Sequence, residues 1–321
     1  MAFFLDKEQM QISIIIVNWN AGSQLADAVS SIVKYHYGLV ASVVIIDNAS
    51  TDDSIEQVDK LQNLPFQIQI IHQSENSGFG TACNLGVLNC KTEYLLFLNP
   101  DAALYADTLP KALAYMQLPV NAKTGICGVQ LFDEIGQLTR SCSRFPSVMT
   151  FVAQVVGLDR LLPRLGHFIS DWDHTQTREV DHVIGAFFLI RRNLFELLGG
   201  FDERFFVYFE DIDFSYRAVQ AGWRSVYLAD TKAYHAGGGT SKQVKARRLF
   251  YSLRSRVLYA FKHFALIEAV VALLAMLLVE PLSRLVLALS KRSWLSISET
   301  WSAYALLWRW LPKWVFNGLT R

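Results

Sequence analysis

The densest run of chemistry-bearing residues is Gly199–Asp213, GGFDERFFVYFEDID, in which Glu210, Asp211 and Asp213 fall within four positions after an aromatic stretch. Apolar walls raise a carboxylate's affinity for protons, so an acid placed there suits general-base work. Asn99-Pro100-Asp101 follows the apolar run YLLFL (94–98). Pro100 stops the strand and leaves Asp101 projecting, where one carboxylate can hold Mg2+ or Mn2+ if phosphate oxygens and water complete the shell. The same tripeptide also makes an ordinary turn. Asp47 closes VVIID (43–47). A carboxylate ending a buried strand needs donors, so it either faces a cleft, accepting from a ribose hydroxyl or a pyrimidine N–H, or caps the next helix. Trp19, beside Asn18, either stacks on a base or fills a gap between helix and sheet. In Asn76-Ser77-Gly78-Phe79-Gly80, the glycines allow close backbone approach to a ligand. That segment is neither G-x-G-x-x-G nor a G-K-[ST] phosphate loop. His235, ahead of Gly237-Gly238-Gly239, is open to three roles: metal ligand, phosphate contact or structural histidine.

The elements that position these residues are legible from hydropathy. Ile12–Val17, Val43–Ile46, Gln67–Ile71 and Tyr94–Leu98 read as strands, separated by helical stretches Ser23–Lys34, Ser54–Leu61, Thr81–Asn89 and Asp107–Met116. Such alternation predicts a mostly parallel α/β sheet covered on both faces. Three of these strands end in clusters with Asn or Asp, and open α/β sheets bind ligands beyond the strands' carboxyl ends. Further along, Gly125–Leu131 and Ser225–Leu228 read as strands, Val183–Arg191 as a strand or a strand leading into a helix, and Leu158–Thr177 as loop with irregular helix.

The chain has 321 residues, 52% hydrophobic and 18% charged. That composition excludes intrinsic disorder and collagen and is apolar for a cytosolic enzyme. Four cysteines without a C-x-x-C pair argue against a zinc ribbon or disulfide scaffold and for a reduced, cytosol-facing chain. The start, MAFFLDKEQM, lacks the basic and apolar regions of a secretory signal. Charge is unevenly distributed. Residues 1–230 carry 16 Lys and Arg against 26 acids, whereas 231–321 carry 14 against 3. A basic tail on an acidic body points to an anionic partner.

The tail begins near 245 as a basic amphipathic helix. The 16-residue apolar stretch 264–279 follows, reaching roughly 24 Å and so short of a bilayer's hydrocarbon core. Burial against the body or shallow insertion in one leaflet is expected over a transmembrane span. Trp294, Trp301 and Trp308 are seven apart, on one helical face, with Lys291, Arg292, Arg309 and Lys313 among them. Tryptophan and basic side chains together suit an anionic membrane surface. Continuous aliphatic content is wrong for a solvated nucleic-acid groove, so no nucleic-acid partner is expected.

Together SIIIVNWN (13–20), VVIIDNASTDDS (43–54), ENSGFGTACNLG (75–86), YLLFLNPDA (94–102), GAFFLIRR (185–192) and GGFDERFFVYFEDIDFSYR (199–217) resemble the inverting glycosyltransferases of family 2. More narrowly they are similar to the rhamnosyltransferase-like branch that builds O-antigen and other bacterial surface polysaccharides. The resemblance implies a GT-A fold over about 1–244 and a membrane-associated helical tail over 245–321. It implies that Asp47, with Asn18, Trp19, Asn76, Gly78 and Asn99 around it, holds the nucleotide of a dTDP- or UDP-sugar. It implies Asp101 and His235 as holders of Mg2+ or Mn2+, and Asp211, beside Glu210, as catalytic base. Asn99 departs from the pattern, standing where many relatives carry a first Asp, which should weaken metal binding in the absence of nucleotide. A glycan acceptor on a polyprenyl diphosphate, at the cytoplasmic face of the bacterial inner membrane, completes the expectation. A sugar nucleotidyltransferase would need a Gly-rich, basic triphosphate loop after the first strand, which Asn18–Gln24 lacks. A non-catalytic scaffold would have no use for Asp101, Glu210 and Asp211.

Overall fold

The computed structural model describes residues 11–62, 64–169, 171–237 and 245–320. The reading of the first ten residues, and most of the glycine run after His235, lie outside them. Along the chain the first half runs β1 (Ile12–Asn18), α1 (Ser23–His36), β2 (Val40–Asp47), α2 (Ser54–Asp59), β3 (Gln67–His72), α3 (Phe79–Val87), β4 (Tyr94–Leu98), β5 (Ala102–Leu104), α4 (Thr108–Gln117) and β6 (Thr124–Phe132). Next come the short β7 (Leu138–Thr139) and β8 (Cys142–Ser143), α5 (Val148–Val156), β9 (Arg178–Val180), β10 (His182–Val183), β11 (Phe187–Arg191) and α6 (Arg192–Leu197). The last elements are α7 (Glu210–Gln220), β12 (Arg224–His235), α8 (Lys245–His263), α9 (Leu266–Leu274), α10 (Glu280–Ser290) and α11 (Trp294–Asn317).

The main sheet has the order β3-β2-β1-β4-β11-β6-β12-β5. Strands β3, β2, β1 and β4 are parallel, as are β6 and β12, while β11 runs antiparallel between the two groups. This is the mixed, mostly parallel GT-A sheet. The β-branched runs of β1 and β2 are buried along nearly their whole length, as strands covered on both faces must be. Because β11 is reversed, its amino end lies at the same edge as the carboxyl ends of β4 and β1. The expected strand Val183–Arg191 is divided at Gly185 into β10, which pairs with β8, and β11.

The described residues divide into two compact units. One comprises described residues within 11–143, 174–202 and 211–237; the other comprises those within 144–173, 203–210 and 245–320. The boundary expected near 244 therefore misses two inserts that belong with the tail. Their signal is aromatic: Phe206 packs on Tyr251 with ring centroids 4.7 Å apart, and Phe151 on Phe264 at 5.6 Å.

Within the second unit, α9, a π-helical turn (Ala275–Val279) and α10 form one continuous helix, Leu266–Ser290. Its 25 residues have a mean hydropathy of 2.1 in the most apolar window. It is long enough to cross a bilayer at roughly 37 Å, which corrects the shorter length expected from sequence. Pro281 sits in the first turn of α10, where a missing N–H costs nothing, so the helix does not stop there. Burial against the body is corrected too: only 17% of the window is buried. Ile267, Val271, Leu274, Leu278, Leu282, Val286 and Leu289 form an exposed stripe. The one acid in its middle, Glu280, turns inward to Arg256 (2.9 and 3.1 Å) and Arg284 (2.7 and 2.9 Å). Two of the tail's cations are likewise not surface charges. Arg254 and Arg256 are buried, the former against the rings of Phe206, Phe250 and Tyr251. On α11, Trp294, Trp301 and Trp308 are exposed on the heptad face the spacing predicts, while Trp310 is buried.

Candidate active site

The ends of β1 and β2 are tied together before any ligand is considered. Asn18 pairs with Asp47 in the ladder. Its side-chain amide donates to Asp47 Oδ1 (3.1 Å), Ser50 Oγ (3.0 Å) and Ser54 Oγ (2.8 Å). Asn18 is fully buried, so it sets the β2–α2 loop. Asn20 and Ala49 hold left-handed backbone conformations (φ 54° and 61°) that cost energy without glycine and recur at functional sites. Cross-links hold this strain: Thr51 N–H donates to Asn20 Oδ1 (2.7 Å) and Gly22 N–H to Asp52 Oδ2 (2.8 Å). Asp47 also meets the exposed His72 Nδ1 at 3.2 Å. Trp19 is half-buried at the mouth of β1.

A second clasp shapes the turn before α3. Asn48 accepts from Ser77 N–H (3.1 Å) and donates to the Gly78 carbonyl (3.2 Å), while Asn76 Oδ1 accepts from Gly78 N–H (3.0 Å). Gly78 has φ 86°, which a side chain would strain. The turn thereby presents the start of α3 beside the end of β2.

At the end of β4, Asn99 N–H donates to the Ala186 carbonyl (3.1 Å). Strand β12 returns alongside β5 with His235 opposite Ala102, and Ala236 N–H donates to the Asp101 carbonyl (3.1 Å). His235 Nε2 consequently lies 3.3 Å from Asp101 Oδ1 and 3.4 Å from Asn99 Nδ2. A single ring nitrogen cannot serve as donor to Asp101 and acceptor from Asn99 at once. Two ligands each about 2.1 Å from a six-coordinate ion lie about 3 Å apart, so the Asp101–His235 pair fits a small divalent cation. Among the described residues no group of three or more His, Cys, Asp or Glu side chains gathers as a full cage. The chain supplies a partial shell of the kind that phosphate oxygens and water complete.

Asp211 arrives from the other side of the same segment. Gly199 and Gly200 turn with φ 70° and 78°, and Asn84 brackets Phe201, accepting from its N–H and donating to its carbonyl at 2.9 Å each. The Phe201 ring packs between Phe97, Phe195 and Phe214 at 5.0–5.7 Å. Buried Asp213 pairs with Arg217 (2.8 Å), whose other nitrogens hold the Leu198 and Gly200 carbonyls. So anchored, α7 puts Asp211 Oδ2 2.9 Å from the Gly185 amide and 3.2 Å from His182 Nε2. A Cβ at residue 185 would lie 3.2 Å from that oxygen, so the approach relies on glycine. Tyr208 and Phe209, just before α7, are both left-handed (φ 68° and 72°). Glu210 is buried at the head of α7.

The expected rise in a carboxylate's proton affinity does not hold at Asp211. Burial pushes its carboxyl up, but the His182 ring and the Gly185 and Ile212 amides outweigh it and hold Asp211 below the ordinary range. The aromatic run packs away from the carboxylate while N–H groups face it.

Asn99 and Asp211 thus bond neighbouring residues of the Gly185-Ala186 segment, Asp101 and His235 lie beside Asn99, and Asp47, Asn48 and Gly78 line the adjoining ends of β2 and α3. Sequence reasoning missed Asn48 and His72 as partners, Asn84 and Arg217 as anchors, and His182. A histidine inside the apolar run VIGAFFLI's approach signals a buried partner, but nothing local says which.

Known proteins are similar to this chain in sequence and in fold. The family model for glycosyl transferase family 2 matches residues 13–199. The N-acetylglucosaminyl-diphospho-decaprenol L-rhamnosyltransferase of Mycobacterium tuberculosis (strain CDC 1551 / Oshkosh) is 28% identical over 209 residues, 60% of this chain and 66% of the relative. The chain therefore spans just under two thirds of that relative's length. Rhamnosyltransferase WbbL of Escherichia coli (strain K12) is 29% identical over 192 residues, 57% of this chain and 69% of its own. Mannosyltransferase PcManGT from Pyrobaculum calidifontis, solved with GDP-Man and Mn2+, matches with a TM-score of 0.55 at 17% identity, over 96% of this chain and 81% of that one. At that identity the likeness is one of fold. Since the family match runs unbroken from β1 to the Gly199 turn, more than half of the residues, this chain belongs to glycosyl transferase family 2.

Proposed function

We propose that the chain is an inverting, divalent-cation-dependent hexosyltransferase. It moves a sugar, L-rhamnose from dTDP-L-rhamnose in the first instance, to a hydroxyl of a polyprenyl-diphosphate-linked glycan during surface-polysaccharide assembly. The observation that carries this reading is the meeting of two motifs on Gly185-Ala186: Asn99 bonds the Ala186 carbonyl and Asp211 the Gly185 amide. In this reading a base and a cation-holding acid serve one reaction centre. The names of the rhamnosyltransferase relatives support the donor sugar and the lipid-linked acceptor.

In the proposed reaction the nucleotide lies along the carboxyl ends of β1 and β2, with Asp47 toward base or ribose and Trp19 beside it. Asp101 and His235 would hold Mg2+ or Mn2+. When bound, the cation offsets negative charge developing on the leaving diphosphate. Asp211, anionic at neutral pH, takes the acceptor hydroxyl's proton as that oxygen bonds to the anomeric carbon and the carbon–phosphate-oxygen bond breaks. One displacement inverts the anomeric centre without an enzyme nucleophile.

Membrane association belongs to the same reading. The exposed stripe of α9–α10, the exposed tryptophans of α11 and the exposed Lys291, Arg292, Arg309 and Lys313 suit a helix pair lying in the interface of an anionic leaflet. The cytoplasmic face of a bacterial inner membrane offers both that surface and nucleotide-sugars.

The test is a donor screen followed by turnover. Purified protein is melted with dTDP-, UDP- and GDP-sugars, with and without Mn2+ or Mg2+, because ligands preferring the native state raise the midpoint. The best donor is then incubated with a polyprenyl-diphosphate-linked N-acetylglucosamine. Cation-dependent stabilisation by dTDP-L-rhamnose and a glycosylated lipid of inverted configuration are expected. Pyrophosphate release from a sugar phosphate and a nucleoside triphosphate, or donor binding with no transfer, would overturn the proposal.

A further inference from the structure

Asp211 is also met by residues that lie outside the sequence stretches quoted above for the family resemblance. Strand β10 pairs with β8 so that His182 stands opposite Ser143. Gly128 on β6 makes room for this ladder, since a Cβ there would lie 2.7 Å from the Val183 side chain. His182 and Ser143 are both buried. Ser143 Oγ lies 2.7 Å from His182 Nδ1, and His182 Nε2 lies 3.2 Å from Asp211 Oδ2.

The chemistry of these contacts constrains the ring's orientation. An ionised carboxylate accepts only, so Nε2 facing it carries a proton. In the neutral ring Nδ1 is then the acceptor, and the Ser143 hydroxyl donates to it. Without that hydroxyl Nδ1 loses its buried partner and the ring is free to turn away from Asp211. The carboxylate's two oxygens are left unequal. Oδ2 accepts from Gly185 N–H (2.9 Å) and has His182 Nε2 at 3.2 Å, whereas among the described residues Oδ1 accepts from Ile212 N–H (2.9 Å).

We propose that Ser143 and His182 form a positioning dyad that saturates Asp211 Oδ2 and leaves Oδ1 as the oxygen that receives the acceptor's proton. The inference rests on Asp211 being the base. Among the described residues, His182 on β10 is the ionisable side chain paired with Asp211 of α7. On α7 itself Asp213 is turned to Arg217, and Glu210 precedes Asp211 at the helix start. The dyad's effect on acidity follows from the same contacts: with the imidazole N–H removed, burial of Asp211 is less opposed and its carboxyl titrates at higher pH.

The experiment compares His182→Phe, His182→Gln, Ser143→Ala and Asp211→Asn in full-length enzyme, by transfer kinetics, donor affinity and the pH profile of kcat. H182F keeps a planar ring without the donor and is expected to lose about 10–100-fold in kcat, with donor KM within twofold. Its acid limb moves to higher pH. H182Q returns an N–H near Nε2 and recovers kcat to within about fivefold of wild type. If H182F fails to fold, S143A decides: kcat falls at least threefold when the ring loses its anchor, and an unchanged kcat overturns the dyad. An H182F kcat within threefold of wild type, or a loss that H182Q does not recover, likewise overturns it. Turnover by D211N would instead sink the assignment of the base, whereas an inactive D211N beside an active H182F sinks the dyad alone.

Discussion

Removing Glu280 should cost the second unit a large part of its stability. Glu280 and Arg256 each retain 4% side-chain exposure, and both carboxylate oxygens are engaged by the Arg256 guanidinium. That guanidinium also lies over the Phe151 ring at 5.3 Å. E280A leaves it buried without a carboxylate, a change that costs about 3–5 kcal/mol in comparable pairs. Arg284 is 37% exposed and can turn to water, so its share is about 0.3–0.5 kcal/mol. The sum is a sizeable fraction of a domain's total of about 5–15 kcal/mol. Urea unfolding in mild detergent, followed by fluorescence of the α11 tryptophans, reads this unit. Replacing both partners in R256M/E280M removes the stranded charge and should recover stability to within about 1–2 kcal/mol of wild type. Acid supplies a second check. Burial raises Glu280's proton affinity, but Arg256 and Arg284 outweigh it and hold the carboxyl below its ordinary value of 4.5. The pair's contribution is therefore complete above that pH and fades as pH falls toward the folded value, so wild type and E280A converge in acid. An E280A variant within 1 kcal/mol of wild type at neutral pH, by the yardstick of comparable buried pairs, would refute the reasoning.

Other outcomes follow from the same geometry. D101N should raise the Mn2+ concentration for half-maximal transfer at least about tenfold, read by cation titration of initial rates; an unchanged midpoint would remove Asp101 from the cation site. The triple variant I267E/L278E/V286E replaces exposed stripe residues. It should bind anionic vesicles about a hundredfold more weakly in co-sedimentation, since each buried aliphatic side chain is worth about 1.5–3 kcal/mol. Unaltered sedimentation would mean that the stripe faces something other than lipid. D213A should lower stability by about 3 kcal/mol by stranding Arg217, with donor affinity of the folded fraction intact. A loss of affinity without a loss of stability would give Asp213 a role in the site.

Much of the sheet was legible because its strands are uninterrupted β-branched or apolar runs closed by polar residues, as at Ile12–Asn18 and Tyr94–Leu98. The placement of Asp101 beside His235 was legible only through resemblance, since 133 intervening positions separate residues that β12 brings back to β5. Three features were hidden for identifiable reasons. Strand β12 extends to His235 because alternating Thr231, Ala233 and buried neighbours continue the ladder past the apolar segment Ser225–Leu228 that hydropathy detects. Helix α5 lies in a stretch without charge periodicity; its start is set by Ser147 and Thr150, which form a capping box recognisable only once the chain direction is known. Glu280 looked like the end of an apolar segment because hydropathy counts a charge as exposed, whereas two arginines one turn away and 24 positions upstream neutralise it internally. The low proton affinity of Asp211 was hidden likewise: the aromatic residues before it are visible in sequence, but His182, 29 positions upstream, is not.

The decisive comparison is wild type against Asp211→Asn in single-turnover transfer and in donor binding measured on the same preparation. Loss of transfer by about a thousandfold, with the affinity for the donor unchanged within twofold, is the expected result. Asn cannot accept the hydroxyl proton, yet it keeps the volume and an oxygen for the Gly185 amide. Transfer by D211N at a rate near that of wild type would contradict the assignment of the base, and with it the reaction proposed for this edge of the sheet.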